Sequence, residues 1–105
     1  MKAYEAVFIL DERKFEDGGE TFASQFVSLV EELGGTVTDK TPMGRKQFAR
    51  PIKKLNAGIY WDFVIQLDPA KVVVLKDRFR LDDSVLRLVV LDFVAAPKKV
   101  ELRED

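Results

Sequence analysis

The sequence predicts an α+β domain in which two helices cover one face of a four-stranded antiparallel sheet. Segments with a helical hydrophobic period alternate with strand-like segments in the order strand, helix, strand, strand, helix, strand. A chain of 105 residues that is 47% hydrophobic is also the size of one domain with one core. We therefore expect a single domain over residues 1–94, followed by a polar C-terminal tail over residues 95–105.

The first half of the chain supplies a strand, a helix and a turn. Residues 2–10 (KAYEAVFIL) are rich in β-branched and aromatic types and apolar at successive positions near their end, which is typical of a central strand. Residues 20–33 change to a helical period, with apolar side chains at Phe22, Phe26, Leu29, Val30 and Leu33. The pair Gly34-Gly35 predicts the end of this helix, because glycine readily adopts the left-handed conformation found there.

The second half repeats the alternation. A strand is expected from TVTDKT (residues 36–41), and Asn56-Ala57-Gly58 predicts a turn into a strand over residues 59–67. Asp68-Pro69 predicts the start of a second helix, with the Asp as N-cap and the Pro in the first turn. Residues 85–93 (VLRLVVLDF) then form the last strand.

This order of elements predicts a split βαβ, ferredoxin-like sandwich (βαββαβ). Right-handed crossovers in the two strand-helix-strand units put the first and third strands side by side in the middle of the sheet. Both helices then lie on one face, and the other face is free for a partner. This fold hosts RNA-binding modules, enzymes and regulatory domains, so the functional residues have to decide between them.

The composition removes several kinds of chemistry. The chain has no cysteine and no histidine, so it has no disulfide, no thiolate metal site and no imidazole base. Any catalysis would have to rest on carboxylates, Lys, Arg, Tyr or Ser, so an enzyme is possible but poorly equipped, and we expect no cofactor, no metal site and no small-molecule substrate. The apolar run near the N-terminus is too short to span a membrane and is interrupted by Glu5, so we expect a cytoplasmic protein.

One stretch, MGRKQFARPIKK at residues 43–54, holds five cationic side chains and no carboxylate in a chain of formal net charge −1. Guanidinium and ammonium groups bind phosphate oxygens, and structured RNA is recognised largely through its backbone and shape. The stretch therefore predicts an RNA-binding surface, although such a run is also typical of a solvated strand edge. The candidate RNA-binding residues are Arg45, Lys46, Arg50, Lys53 and Lys54, with Lys2 and Arg87 as further candidates.

The aromatic residues of the predicted central strands have three possible roles. They could stack on bases, pack in the core, or contact a protein partner on the open sheet face. The strand IYWDFVIQL has no glycine and carries Asp62, so it lacks the aromatic signature of the RNA-recognition motif. The candidate partner-binding residues are Tyr4, Tyr60, Trp61 and Phe63.

Three motifs resemble the family of the sixth protein of the bacterial small ribosomal subunit. They are Met1-Lys2-Ala3-Tyr4-Glu5 before the first strand, GRKQFARPIKK over residues 44–54, and D-x-x-V-L-R-x-V-V ending at Val90. The resemblance spans nearly the whole chain. Arg50 stands where the family commonly has an aromatic residue, and the added cation is compatible with an anionic partner.

The resemblance implies a structural protein of the ribosome that binds 16S rRNA in the platform of the small subunit. It also implies a heterodimer with the eighteenth small-subunit protein, and neither a reaction nor a cofactor. A chain of net charge −1 attracts RNA weakly at long range, so a basic partner that binds the same RNA would supply the missing attraction.

Two alternatives belong to other classes. An enzyme of the acylphosphatase type shares the fold, but its phosphate-binding loop would here read DERKFEDGGE, in which carboxylates repel phosphate and Gly18-Gly19 fits a turn that approaches the helix. The other alternative is a ligand-binding or regulatory domain that dimerises through its sheet, for which the basic stretch has no evident use.

Overall fold

Four strands and two helices alternate in the computed structural model, which describes residues 1–93. The elements are β1 (Lys2–Leu10), α1 (Glu20–Glu32), β2 (Thr36–Ile52), β3 (Leu55–Leu67), α2 (Pro69–Arg80) and β4 (Val85–Asp92), with one turn of 3-10 helix at Glu12–Lys14. The expected polar tail, residues 95–105, lies outside the described residues. None of the helices within residues 1–93 has the length and apolar content needed to cross a membrane.

The sheet is antiparallel with strand order β2-β3-β1-β4, so β1 and β3 are central and β2 and β4 are edges. Both helices lie on one face, α1 against β2 and β3 and α2 against β4. This confirms the ferredoxin-like sandwich predicted from the order of the elements.

The core lies between the sheet and the helices, and its centre is a cluster of phenylalanines. The Phe8 ring meets the rings of Phe22, Phe26, Phe63 and Phe79 edge to face, with centroid distances of 4.8 to 5.7 Å. Such pairs add to the free energy gained by burial, because the positive ring edge meets the negative ring face. Alternate residues of β1 and β3 face this cluster, and the residues between them face the open side of the sheet.

The chain enters α1 through a close approach between a glycine and a tryptophan. Gly19 has a φ of 96°, and a Cβ atom at this position would lie 2.5 Å from Nε1 of Trp61. The same indole N–H donates a hydrogen bond of 2.9 Å to the carbonyl oxygen of Gly18. The Asp17 carboxylate accepts hydrogen bonds from the hydroxyl and backbone N–H of Thr21 and from the backbone N–H of Gly19, which lowers the pKa of Asp17 to about 2. The turn expected at Gly18-Gly19 is confirmed.

The predicted turn at Asn56-Ala57-Gly58 is wrong, because these residues belong to β3. The turn is the pair Lys53-Lys54, between the partners Ile52 and Leu55. Both lysines have positive φ, 51° and 69°, which is the backbone of a two-residue type I′ hairpin turn.

Gly58 has a packing role instead of a turn role. A Cβ atom there would lie 2.8 Å from the backbone oxygen of Leu10 and 2.9 Å from Cζ of Phe48. The strands can therefore approach each other only if this residue has no side chain.

Strand β2 is an edge strand that contains two prolines. Pro42 and Pro51 lack an N–H to donate, which is tolerated on an edge and would disrupt a central strand. Pro51 lies next to the last residue of this edge strand. The register shifts between Pro42 and Gly44, where Gly44 has a φ of 80°, so the strand carries a bulge just before the basic stretch.

Candidate nucleic-acid interface

The basic stretch forms the far half of the β2–β3 hairpin. Ile59 pairs with both Arg45 and Leu10, the last residue of β1, so the hairpin beyond this point extends past the end of β1. All five cations of the stretch lie in this projecting part or at its base. The charge that is contiguous in sequence is therefore also contiguous in space.

Four of the five cations are free to bind an anion. Among residues 1–93, none of the following exposed side chains forms an ion pair: Lys46, Arg50, Lys53 and Lys54. Arg45 differs, because its Nε donates a 2.6 Å hydrogen bond to Oε1 of Glu12. A phosphate would have to compete with that carboxylate for Arg45.

Lys2, a further candidate, does not join this group. It pairs with Leu67, at the opposite end of the central strands from the hairpin turn, and its ammonium lies 3.3 Å from the Asp92 carboxylate. The structure thus separates Lys2 from the basic stretch and supplies it with a local partner.

Arg87, the other further candidate, lies near the hairpin turn. Arg87 and Lys53 line the same concavity, which also contains Lys76 and Arg80 of α2. The sequence analysis did not single out the two α2 cations, although their spacing of four residues puts them on one side of a helix.

Three of the four candidate partner-binding aromatics are buried in the core, which corrects the expectation that they face a partner. Tyr4, Trp61 and Phe63 are 7%, 2% and 0% exposed. They occupy the helix-covered face because Phe8, at the centre of the core, pairs directly with Trp61. Only Tyr60 lies on the open face, half-buried, with its ring centroid 6.2 Å from that of Phe48.

The open face combines an apolar half with an acidic half. The β4 and β1 side presents Val89, Leu91 and Val7, and Val89 and Leu91 are 38% and 53% exposed. Beside these apolar residues, carboxylates from β1, β2 and β3 surround Val64. These carboxylates are Glu5, Asp39 and Asp62.

Asp62 is the most perturbed of these carboxylates. Burial, followed by its contact with the Glu5 carboxyl group and the charge of Asp39, raises the pKa of Asp62 to about 7. Within the described residues, its Oδ1 atom is buried and has no hydrogen-bond partner. A partner that supplied a cationic donor here would satisfy this oxygen and neutralise the cluster.

The arrangement suits binding to phosphate and to a protein surface. Within residues 1–93, no group of three or more His, Cys, Asp or Glu side chains is placed to hold a metal ion. Five cations lie in the basic stretch at the hairpin, whereas three carboxylates (Glu5, Asp39 and Asp62) lie beside exposed apolar side chains on the open face.

A comparison with known families decides the class of this chain. The model of the family described as "Ribosomal protein S6" matches residues 3–92. The chain belongs to the ribosomal protein S6 family. This confirms the resemblance carried by the three sequence motifs, and with it the expected class: a protein of the small ribosomal subunit, located on the ribosome in the cytoplasm.

Individual relatives agree with the family assignment. The chain is 32% identical over 92 residues to the small ribosomal subunit protein bS6 of Clostridium novyi. The aligned region covers 88% of this chain and 97% of that protein. It is 36% identical over 91 residues to the protein of the same name from Streptomyces coelicolor, covering 87% and 95%. The crystal structure of ribosomal protein S6 from Thermotoga maritima superposes with a TM-score of 0.81 at 25% identity, covering 88% of this chain and 87% of that one.

Proposed function

We propose that this member of the S6 family is a structural protein of the small-subunit platform that binds 16S rRNA together with the eighteenth small-subunit protein. The observation that carries the proposal is the segregation of charge. Four exposed cations at the hairpin form no ion pair within residues 1–93, and a separate cluster of carboxylates, Glu5, Asp39 and Asp62, lies on the open face of the sheet. One molecule can thereby contact an anionic and a cationic partner at the same time.

The hairpin supplies the proposed contact with rRNA. Lys46, Arg50, Lys53 and Lys54 are exposed on an element that extends past the end of β1, so a phosphate backbone can reach their side chains. Contacts of this kind position a protein on RNA through its phosphates and depend strongly on salt. Arg45 would contribute once Glu12 releases it.

The open face supplies the proposed contact with the protein partner. Val89 and Leu91 are exposed apolar side chains beside Val7, and Glu5 and Asp62 lie next to them. An apolar centre next to carboxylates suits a small basic protein, which would bury the valines and leucine and bring a cation to the acidic side. Tyr60 remains the only candidate aromatic that could contribute to this surface.

The proposal includes no reaction. In an acylphosphatase-like enzyme the loop after β1 would have to bind phosphate through free backbone N–H groups. Here the Asp17 carboxylate accepts hydrogen bonds from the N–H groups of Gly19 and Thr21, and a carboxylate in that position repels phosphate. This internal bonding supports a structural role for the loop.

The first experiment is recovery of the tagged full chain from a bacterial lysate with and without ribonuclease. We expect 16S rRNA and one small basic ribosomal protein, and we expect the protein to persist after ribonuclease treatment because the contact is direct. Recovery of neither partner would contradict the proposal.

Matched variants then separate the two surfaces. Lys46→Gln with Arg50→Gln should weaken binding to rRNA and reduce its salt dependence, whereas Lys71→Gln on α2 should change neither. Val89→Lys should weaken binding of the protein partner, whereas Val73→Lys, at an exposed valine of α2, should not. Equal effects of a variant and its control would contradict the assignment of that surface.

A further inference from the structure

The concavity near the hairpin turn collects cations from three elements that are far apart in the sequence. It is lined by Lys53 of the turn, Lys76 and Arg80 of α2, and Arg87 of β4. All four side chains belong to exposed residues, and within residues 1–93 none forms an ion pair. One carboxylate, that of Asp77, lines the same concavity, so the cations outnumber the acids.

The concavity has room for a phosphate group and has an apolar floor. Its volume is about 250 Å³, below the ~300 to 1,000 Å³ of pockets that enclose drug-sized ligands. Its apolar lining includes the half-buried Phe79 and the buried Val85. Apolar walls lower the local dielectric, which strengthens the attraction between an anion and the cations at the rim.

One of the cations is placed at a cost and another favourably. Lys53 adopts a φ of 51°, a conformation that disfavours residues with a side chain, and Arg80 lies in the last turn of α2, whose free carbonyls attract cations. The helix dipole at this end opposes an anion, so any anion that binds here must be held by the surrounding cations. Of these, Arg87 pairs with Ile9 and shares the open-face side of the edge strand β4 with Val89. Lys76 and Arg80 instead belong to α2 on the covered side.

We infer that this concavity, formed by Lys53, Lys76, Arg80 and Arg87, is a binding site for a backbone phosphate of the RNA. The inference rests on the proposed binding of 16S rRNA and extends it from the hairpin to α2 and β4. The site would bind the RNA on the β4 side of the hairpin turn. The RNA strand would then contact α2 and β4 as well as the tip of the hairpin.

The test compares charge-removing variants of the full chain for binding to a platform fragment of 16S rRNA at several salt concentrations, with the basic partner protein present. Lys76→Gln with Arg80→Gln should lower the affinity about tenfold and reduce the magnitude of the salt slope by about 1 to 2. Lys71→Gln, which removes a cation from the first turn of the same helix outside the concavity, should behave as the wild type. The replaced side chains are exposed, and urea unfolding verifies that the variants fold.

Two further comparisons show whether the bound phosphate comes from RNA, and whether rRNA binding persists when the concavity is not its site. If the concavity variant binds like the Lys71→Gln control while Lys46→Gln with Arg50→Gln loses affinity, rRNA binding stands and the site is overturned. If the wild type binds no rRNA, both fall. If inorganic phosphate shifts the Arg80 side-chain NMR signal but the variant keeps full rRNA affinity, the site takes free phosphate and its assignment to RNA is overturned.

A tethered probe gives a second, independent measurement. Because the chain has no cysteine, Asp77→Cys creates a single attachment point in the concavity that keeps all four cations. An iron chelate attached there should cleave the bound rRNA fragment at discrete nucleotides. The same chelate attached through Ser28→Cys on α1 should not, and identical cleavage patterns from the two positions would overturn the site.

Discussion

The two faces of the sheet have the same strands but opposite kinds of side chain. The covered face is complete within the chain: its aromatic rings pack on one another, and the indole N–H of Trp61 is satisfied by Gly18. The open face is incomplete: it exposes Leu91, buries Oδ1 of Asp62 without a hydrogen bond and raises the pKa of Asp62. The difference indicates that one face is built for stability and the other for a partner.

The largest expected effect tests the covered face against the open face at adjacent residues. Phe8→Ala should lower the free energy of unfolding by about 3 to 5 kcal/mol, because it leaves a cavity among four aromatic rings. Val7→Ala, on the open face and half-buried, should cost only about 1 kcal/mol. Urea unfolding of both variants measures the contrast, and equal losses would contradict the division between the faces.

The next effect concerns the pH dependence contributed by Asp62. Its pKa rises from 3.8 to about 7 on folding, so the folded chain holds a proton that the unfolded chain has released. The contribution of Asp62 to the free energy of unfolding is therefore greatest below about pH 4. This contribution falls as the pH rises toward about 7, and it stays low at higher pH.

Replacement of this carboxyl group should remove that dependence. Asp62→Asn should raise the free energy of unfolding at pH 8 by about 1 to 2 kcal/mol, less than the full pKa difference implies because solvent screens part of the repulsion. The amide can also donate to Glu5. Asp77→Asn, at an exposed carboxylate of α2, is the control, and a gain in that variant equal to that of Asp62→Asn would contradict the role of burial.

A smaller effect tests whether the hairpin turn sacrifices stability for charge. Lys53→Asn with Lys54→Gly should stabilise the protein by about 1 kcal/mol, because these residues suit the positive φ of both positions. The same variant should bind rRNA more weakly. Lys53→Gln with Lys54→Gln removes the charges but keeps the strained backbone, so it should lose binding without gaining stability. Stabilisation of both variants would show that the backbone strain is not the cause.

The smallest effect concerns the ion pair at the base of the hairpin. Glu12→Gln should change the free energy of unfolding by less than about 0.5 kcal/mol, because the pair is exposed to solvent. It should nevertheless increase the affinity for rRNA, since Arg45 no longer has a competing carboxylate. Glu16→Gln, a neighbouring exposed carboxylate, is the control. Unchanged binding by Glu12→Gln would exclude Arg45 from the contact.

Periodicity predicted the elements well, since local hydrophobic patterns decide them. It failed at the hairpin turn, because Lys53-Lys54 carries no turn signature and Gly58 is required by packing against Leu10. The sequence prediction grouped Tyr60 with Trp61 as partner-binding residues, although successive residues of a strand face opposite sides. The helices cover the face that carries Trp61, because Trp61 pairs with Phe8 at the centre of the core. This pairing joins distant parts of the chain and cannot be inferred from the residues around Trp61 alone.

The functional residues divide in the same way. The basic stretch could be recognised because its charges are consecutive, and the three family motifs identified the class of protein. The concavity could not be recognised from the sequence, because Lys53, Lys76 and Arg87 come together only when α2 and β4 are packed beside the hairpin. The position of Lys2 also depends on the fold, because β1 places it at the opposite end of the sheet from the hairpin turn.

The pairing of β4 with β1 has a consequence for the order of folding during synthesis. Within residues 1–93, β1 is the one strand to which β4 is hydrogen-bonded, with Tyr4 opposite Asp92, so the first strand pairs with the last. Closing so long a loop is entropically unfavourable and requires that residues near position 92 have left the ribosome. The β2–β3 hairpin, whose pairing is local, can form earlier. A nascent chain would then display its basic hairpin before its sheet is complete.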